Sequence, residues 1–306
     1  MRRLLGAAVA AAAMTLTGCV GAADGDDRPH IVVTTNILGD VVTKTVGDTA
    51  RVTTLMRPNA DPHSFEISAR EAAMMRDADL LVSNGLGLEE GLQRHLDKAA
   101  EAGVETYVAG EQIDVLDYAE GDSAGTPDPH FWTDPARMRE VVDGLEAVAK
   151  DVDGVDDRAV EQAAAAYRTE LEELDQEMTD SFASIPEQHR SLVTNHHVFG
   201  YLAERFGFRV VGAIIPGGTT LAAPSAADLR DLTEAIEQAG VPTIFAESSQ
   251  PDRLIQVLAD EAGVDVGVSE LFTESLTEKG RGAETYLTMM RANTERITSG
   301  LSEPTD

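Results

Sequence analysis

DDRAVEQAAAAYRTELEELDQEMTDSF, residues 156–182, decides how this chain is built. Val160, Ala164, Tyr167, Leu171, Leu174, Met178 and Phe182 fall three or four residues apart, on one face of a single α-helix. An acidic stretch at 153–157 supplies a start and Pro186 a stop. At 1.5 Å per residue, about 25 residues make a rod nearly 40 Å long. Such a rod can brace two bodies at once. The plainer alternative is a surface helix packed on one lobe only.

Outward from the rod, apolar strand-like runs alternate with helical spacing on both sides. Before it, strands are expected at residues 31–35, 52–56, 80–83 and 105–108. Helices are expected at 37–46, 68–76, 88–100 and 135–150. Ser68 and Glu71 form a capping box, and Asp134 caps a helix with Pro135 in its first turn. After the rod the pattern restarts. Strands are expected at 191–194, 209–214, 243–246 and 264–268, with helices at 198–206, 226–238, 252–262 and 284–297. Alternation of this length implies parallel sheets flanked by helices. The fold class is therefore α/β, with an N-terminal lobe over residues 30–155, a connecting helix over 156–184 and a C-terminal lobe over 185–306.

The first residues read as an export signal rather than fold. Arg2 and Arg3 precede an apolar stretch over residues 4–15, too short to span a bilayer comfortably. It ends in Leu16-Thr17-Gly18-Cys19, which has the form of a bacterial lipobox. Cys19 is the only cysteine, so no internal disulfide is possible. Residues 1–18 are thus expected to be removed, with lipidated Cys19 opening a tether over residues 19–29. The protein is expected to be exported and held to the outer face of the cytoplasmic membrane by its lipid alone. The net charge of −30 excludes nucleic acid and anionic headgroups as partners.

Asp-Pro-His occurs twice, at 61–63 and 128–130, among seven histidines in 306 residues. Proline fixes its own φ and biases its neighbour, so each turn aims an imidazole in a defined direction. Each could also be a simple loop turn, its Asp bonding local backbone. In parallel α/β lobes ligands bind beyond the carboxyl ends of strands. His63 follows the second strand, His130 the fourth, His196 the first strand after the rod and Glu274 the last. Two come from each lobe, which puts a candidate metal site in the inter-lobe cleft. Glu247, Asn36 and His197 are candidates to hydrogen-bond such ligands, Glu247 reading equally as a surface carboxylate at a strand end, and Trp132 is placed to close both the site beside His130 and a core edge. His30, His95 and His189 read as surface or local hydrogen-bonding histidines.

DPHSFE at 61–66, NGLGLE at 84–89, DPHFWTDP at 128–135, VTNHHVFGYLAERFG at 193–207, FAESS at 245–249 and the stretch 271–301 resemble one family across the mature chain. It is the cluster A-I solute-binding lipoproteins that feed zinc or manganese ABC importers. The resemblance implies one buried ion held by His63, His130, His196 and Glu274. It also implies an ABC permease and its ATPase as partners of a monomeric binding protein. This chain departs from the family pattern at Glu274, where Asp is frequent, and at His197, where Asp commonly follows the third ligand. His197 is therefore the neighbour to be separated from His196. Three imidazoles and one carboxylate suit Zn2+, with Mn2+ second because manganese prefers more oxygen. Residues 114–128 lack the His-rich loop of many zinc members. A zinc hydrolase is the competing class. It needs an open coordination position, and no HExxH or nucleophile-elbow motif is present. Adhesion to a host protein, reported for some relatives, has no signal in these residues.

Overall fold

The computed structural model describes residues 27–119, 123–215, 220–221, 225–248 and 267–302. The export segment, Cys19, the helix expected at 252–262 and Gly217-Gly218 lie outside the described residues. Among those described, no helix is long and apolar enough to cross a membrane.

The first lobe holds β1 (His30–Val33), α1 (Asn36–Val46), β2 (Arg51–Thr54), α2 (Ala69–Arg76), β3 (Leu80–Ser83), α3 (Gln93–Glu101), β4 (Thr106–Val108) and α4 (Pro135–Lys150). Its strands form one parallel sheet in the order β2-β1-β3-β4. Ile31 and Val33 face α1 and α4, while Val32 faces the opposite side with Met75 and Ala99. The central strands β1 and β3 are thus buried on both faces, which is why they read as apolar runs. α2 and α4 start where their caps are written: Ser68 and Glu71 close a reciprocal capping box, and Asp134 accepts from the Ala136 N–H.

α5 (Asp157–Ala183) is the rod, 27 residues capped by Asp156. The seven residues of its apolar face are all buried. It packs against α1 and α4 of the first lobe and against the last helix, α8 (Tyr286–Ser302). Phe182 meets Phe206 and Phe208 edge-on at 5.1 and 5.0 Å. The rod therefore braces both lobes.

The second lobe holds β5 (Ser191–Thr194), α6 (Gly200–Phe206), β6 (Arg209–Ala213), α7 (Ala226–Ala239), β7 (Thr243–Glu247), β8 (Gly267–Leu271) and α8. β5 pairs with β6 and β7 with β8, all parallel, and β5 and β7 lie side by side. Several boundaries differ from the sequence pattern, among them the end of α8, which runs past 297 to Ser302. The last strand, expected to end at 268, runs on to Leu271, because its register against β7 sets Leu271 opposite Glu247. α3 begins at Gln93, because residues 88–92 form turns that bury Leu88 and Leu92. The lobes are not separate oil drops. One apolar cluster runs from Val41 and Val141 through Tyr167 and Leu174 to Leu192, Phe245, Leu271 and Tyr286.

Candidate metal centre

His63 stands beyond β2, His130 in the turn that leads into α4, His196 two residues past β5 and Glu274 three past β8. All four side chains meet in one buried cluster. Their exposures are 2, 0, 0 and 1 %. Each offers one ligand atom, and these atoms lie within 4.8 Å of one another. Glu274 Oε1 is 2.9 Å from His63 Nε2, 3.3 Å from His130 Nε2 and 3.2 Å from His196 Nε2. His130 Nε2 and His63 Nε2 are 3.4 Å apart. In a tetrahedral shell with bonds of about 2.0–2.2 Å, neighbouring ligand atoms sit roughly 3.3–3.6 Å apart. The four separations above, 2.9–3.4 Å, lie at or a little below that spacing. Glu274 Oε2 is buried and has no hydrogen-bond partner among the described residues, so a second carboxylate oxygen is also free to bind an ion.

The outer nitrogens show how the rings are aimed. Asp128 Oδ1 lies 2.7 Å from His130 Nδ1 and also accepts the His130 N–H at 2.9 Å. The Tyr118 hydroxyl is 3.2 Å from the same Nδ1. Glu247 Oε1 lies 2.6 Å from His196 Nδ1 and accepts the His196 N–H at 3.1 Å. Its other oxygen takes the Thr273 hydroxyl. A carboxylate on Nδ1 fixes the tautomer that leaves Nε2 as the ligand atom.

Surrounding bonds set the loops. Asn36 donates to Ser275 Oγ and accepts the Leu276 N–H, which ties the Glu274 loop to α1 of the other lobe. Trp132 packs edge-on against His130 at 5.2 Å and donates to the Thr273 carbonyl, so it closes the core and the site together. His197 turns away, its ring 6.4 Å from Tyr118, and lines a cavity of about 300 Å³ beside α6. His30 bonds Thr53, and His95 and His189 lie on α3 and in a short turn before β5.

Charge in the cluster is set by mutual contact. Burial works to neutralise His196, but Glu247 and Glu274 beside it hold its pKa well above the usual imidazole value. Burial opposes charge on His130 as well, and Asp128 and Glu274 raise its pKa on balance. Burial would push Glu274 up, yet His196, His130 and His63 hold it well below the carboxylate range. These shifts favour protonated His130 and His196 beside an ionised Glu274.

Two contributors are not legible as such in the sequence. Glu89 of the NGLGLE stretch is buried and accepts from the Thr34 hydroxyl and the N–H groups of Asn84 and Gly85. Burial raises its pKa against those bonds. The loop it closes lets Asn84 donate to the Pro129 carbonyl, just ahead of His130. Gly85 is left-handed, and a Cβ there would run into Val108. The second is Asp128, whose reach to its own histidine ring depends on the folded turn.

The family described as "Zinc-uptake complex component A periplasmic" (ZnuA) matches residues 31–300. The chain is 29 % identical over 297 residues to the manganese-binding lipoprotein MntA of Halalkalibacterium halodurans, covering 95 % of this chain and 96 % of that one. It is 31 % identical over 286 residues to the zinc-binding protein TroA of Treponema pallidum, covering 92 % and 91 %. The solved structure of periplasmic TroA superposes with a TM-score of 0.81 at 28 % identity, covering 90 % of this chain and all of that one. With buried histidines and a carboxylate gathered from both lobes, and a family match running almost end to end, this chain belongs to the zinc-uptake complex component A (ZnuA) family.

Proposed function

We propose that this protein captures one divalent transition-metal ion outside the cytoplasm and delivers it to an ABC importer. The observation that carries the proposal is the convergence of three buried Nε2 atoms and Glu274 Oε1 at ligand spacing, with carboxylates on two of the outer nitrogens. His63, His130, His196 and Glu274 are the ligands, and Asp128, Glu247 and Asn36 hold them in place. His197 is a neighbour, not a ligand. The ion is cargo, and nothing is transformed. Zn2+ is the first choice, because a nitrogen-rich tetrahedral set favours zinc over manganese in the general order of affinities. Mn2+ is the second, favoured by the free Glu274 Oε2 and by the manganese-binding relative.

A zinc hydrolase needs three protein ligands and a bound water. Four convergent side chains argue against it. We further propose residues 30–155 and 185–306 as the two lobes, 156–184 as their link, 1–18 as the signal and lipidated Cys19 with 19–29 as tether. The partners are then a permease and its ATPase, met by a monomer.

The test is metal analysis of the soluble form lacking residues 1–19, purified without added metal, followed by chelator competition with zinc and manganese. One ion per chain with zinc preferred is the expected result. Two tightly bound ions, or hydrolysis that metal removal abolishes, would sink it.

A further inference from the structure

The two Asp-Pro-His turns are the same tripeptide built to two different ends. Both aspartates accept the N–H of their own histidine, at 2.8 Å from His63 and 2.9 Å from His130. Asp128 uses the same oxygen to hold the His130 ring at Nδ1. Asp61 sends its other oxygen elsewhere, to the Ser64 hydroxyl at 3.1 Å and the Thr220 hydroxyl at 2.6 Å. His63 Nδ1 is buried and has no hydrogen-bond partner among the described residues. His196, by contrast, is held at Nδ1 by Glu247.

Such outer bonds orient a metal-binding imidazole and strengthen it as a donor. Losing one typically costs 10–100-fold in affinity. Two of the three rings here have that support and one does not. We propose that His63 is the ligand that detaches first when the ion leaves, while His130, His196 and Glu274 still hold it. Release then proceeds on the side of the first Asp-Pro-His turn, and Asp128 and Glu247 act as positioning residues that keep the other two imidazoles engaged. The inference rests on the metal-capture proposal above.

Rates separate it from that proposal. The single tryptophan, Trp132, packs on His130 and reports occupancy in stopped flow with zinc and a competing chelator. A contact already broken at the rate-limiting step appears wholly in the release rate. A contact still intact appears in association. His63→Ala should raise the release rate by at least about 100-fold, with association within about 3-fold of wild type. Glu247→Gln and Asp128→Asn should lose about 10–100-fold in affinity, mostly through slower association. Circular dichroism melts check that each variant folds. Asp128→Asn and Glu247→Gln keep all four ligands, so the inference stays testable if His63→Ala does not fold. Loss of association in His63→Ala, or release rates in Glu247→Gln and Asp128→Asn that rise as much as affinity falls, would overturn it. A wild-type protein that takes up no zinc would sink the capture proposal instead.

Discussion

At the scale of single residues, the proposed site separates groups that touch the ion from groups that aim them. His63→Ala, His130→Ala and His196→Ala each delete a proposed bond and should cost at least about 100-fold in zinc affinity. His197→Ala should cost far less, since its ring faces Tyr118. Glu274→Asp keeps the charge but shortens the reach by one CH₂ and should retain weakened binding. Glu274→Gln keeps the size, loses the charge and should bind more weakly than the Asp variant. A chelating-dye competition ranks all six, and equal affinity for wild type and Glu274→Gln would remove Glu274 from the ligand set. The three histidines were legible because each follows a strand end and imidazole is scarce in the chain; Glu274 stood out through the family resemblance of 271–301. Asp128 and Glu89 were not legible as ring and loop holders. Acidic residues abound in this sequence, and only the folded turn brings Asp128 onto its own ring and Glu89 onto the amides of 84 and 85.

At the scale of elements, what local chemistry specifies was readable and what register specifies was not. α2, α4 and α5 begin at side-chain caps and were placed to within a residue. The end of β8 was missed, because alternating valines at 264, 266 and 268 read as the whole strand. Pairing with β7 carries the strand through to Leu271 instead. Leu88, Leu92 and Leu96 share a four-residue spacing, so a turn at 88–92 resembled the first part of α3. The rod offers a contrast between apolar packing and surface charge. Leu174 is fully buried in α5. Leu174→Ala should destabilise by about 2–5 kcal/mol, from lost burial plus a cavity. Arg291 of α8 holds Glu177 of α5 through two bonds at 2.6 and 3.1 Å, both side chains substantially exposed. Arg291→Ala should cost less than about 1 kcal/mol. Denaturant melts of both variants decide it, and a larger loss for Arg291→Ala would mean the rod is held mainly by its charges.

At the scale of the whole molecule, ion binding, folding and protonation are linked. The apolar cluster spans both lobes and the rod, so an ion held from both sides stabilises the molecule as one unit. Free ion at about 100 times its dissociation constant adds about 2.7 kcal/mol, or roughly 5–10 °C in melting temperature for a chain of this size. Protons oppose this. In the ion-free protein His130 and His196 have raised pKa values, so the stability they contribute is fully present below their ordinary 6.5 and is lost as pH rises through the raised folded values. Glu274 is depressed, so its contribution is present above its ordinary 4.5 and lost only as pH falls through the lower folded value. It stays a carboxylate across the neutral range with or without ion. Imidazole nitrogens bind an ion only after losing their protons. An ion taken up by the proposed site would therefore displace protons that His130 and His196 hold more tightly than a free histidine does. Zinc affinity should fall with acidification already above pH 6.5, and the rise in melting temperature with zinc should be large at pH 8 and small at pH 6. Scanning calorimetry with and without zinc across that range measures the difference. A rise that does not change between pH 6 and 8 would mean that imidazoles do not hold the ion.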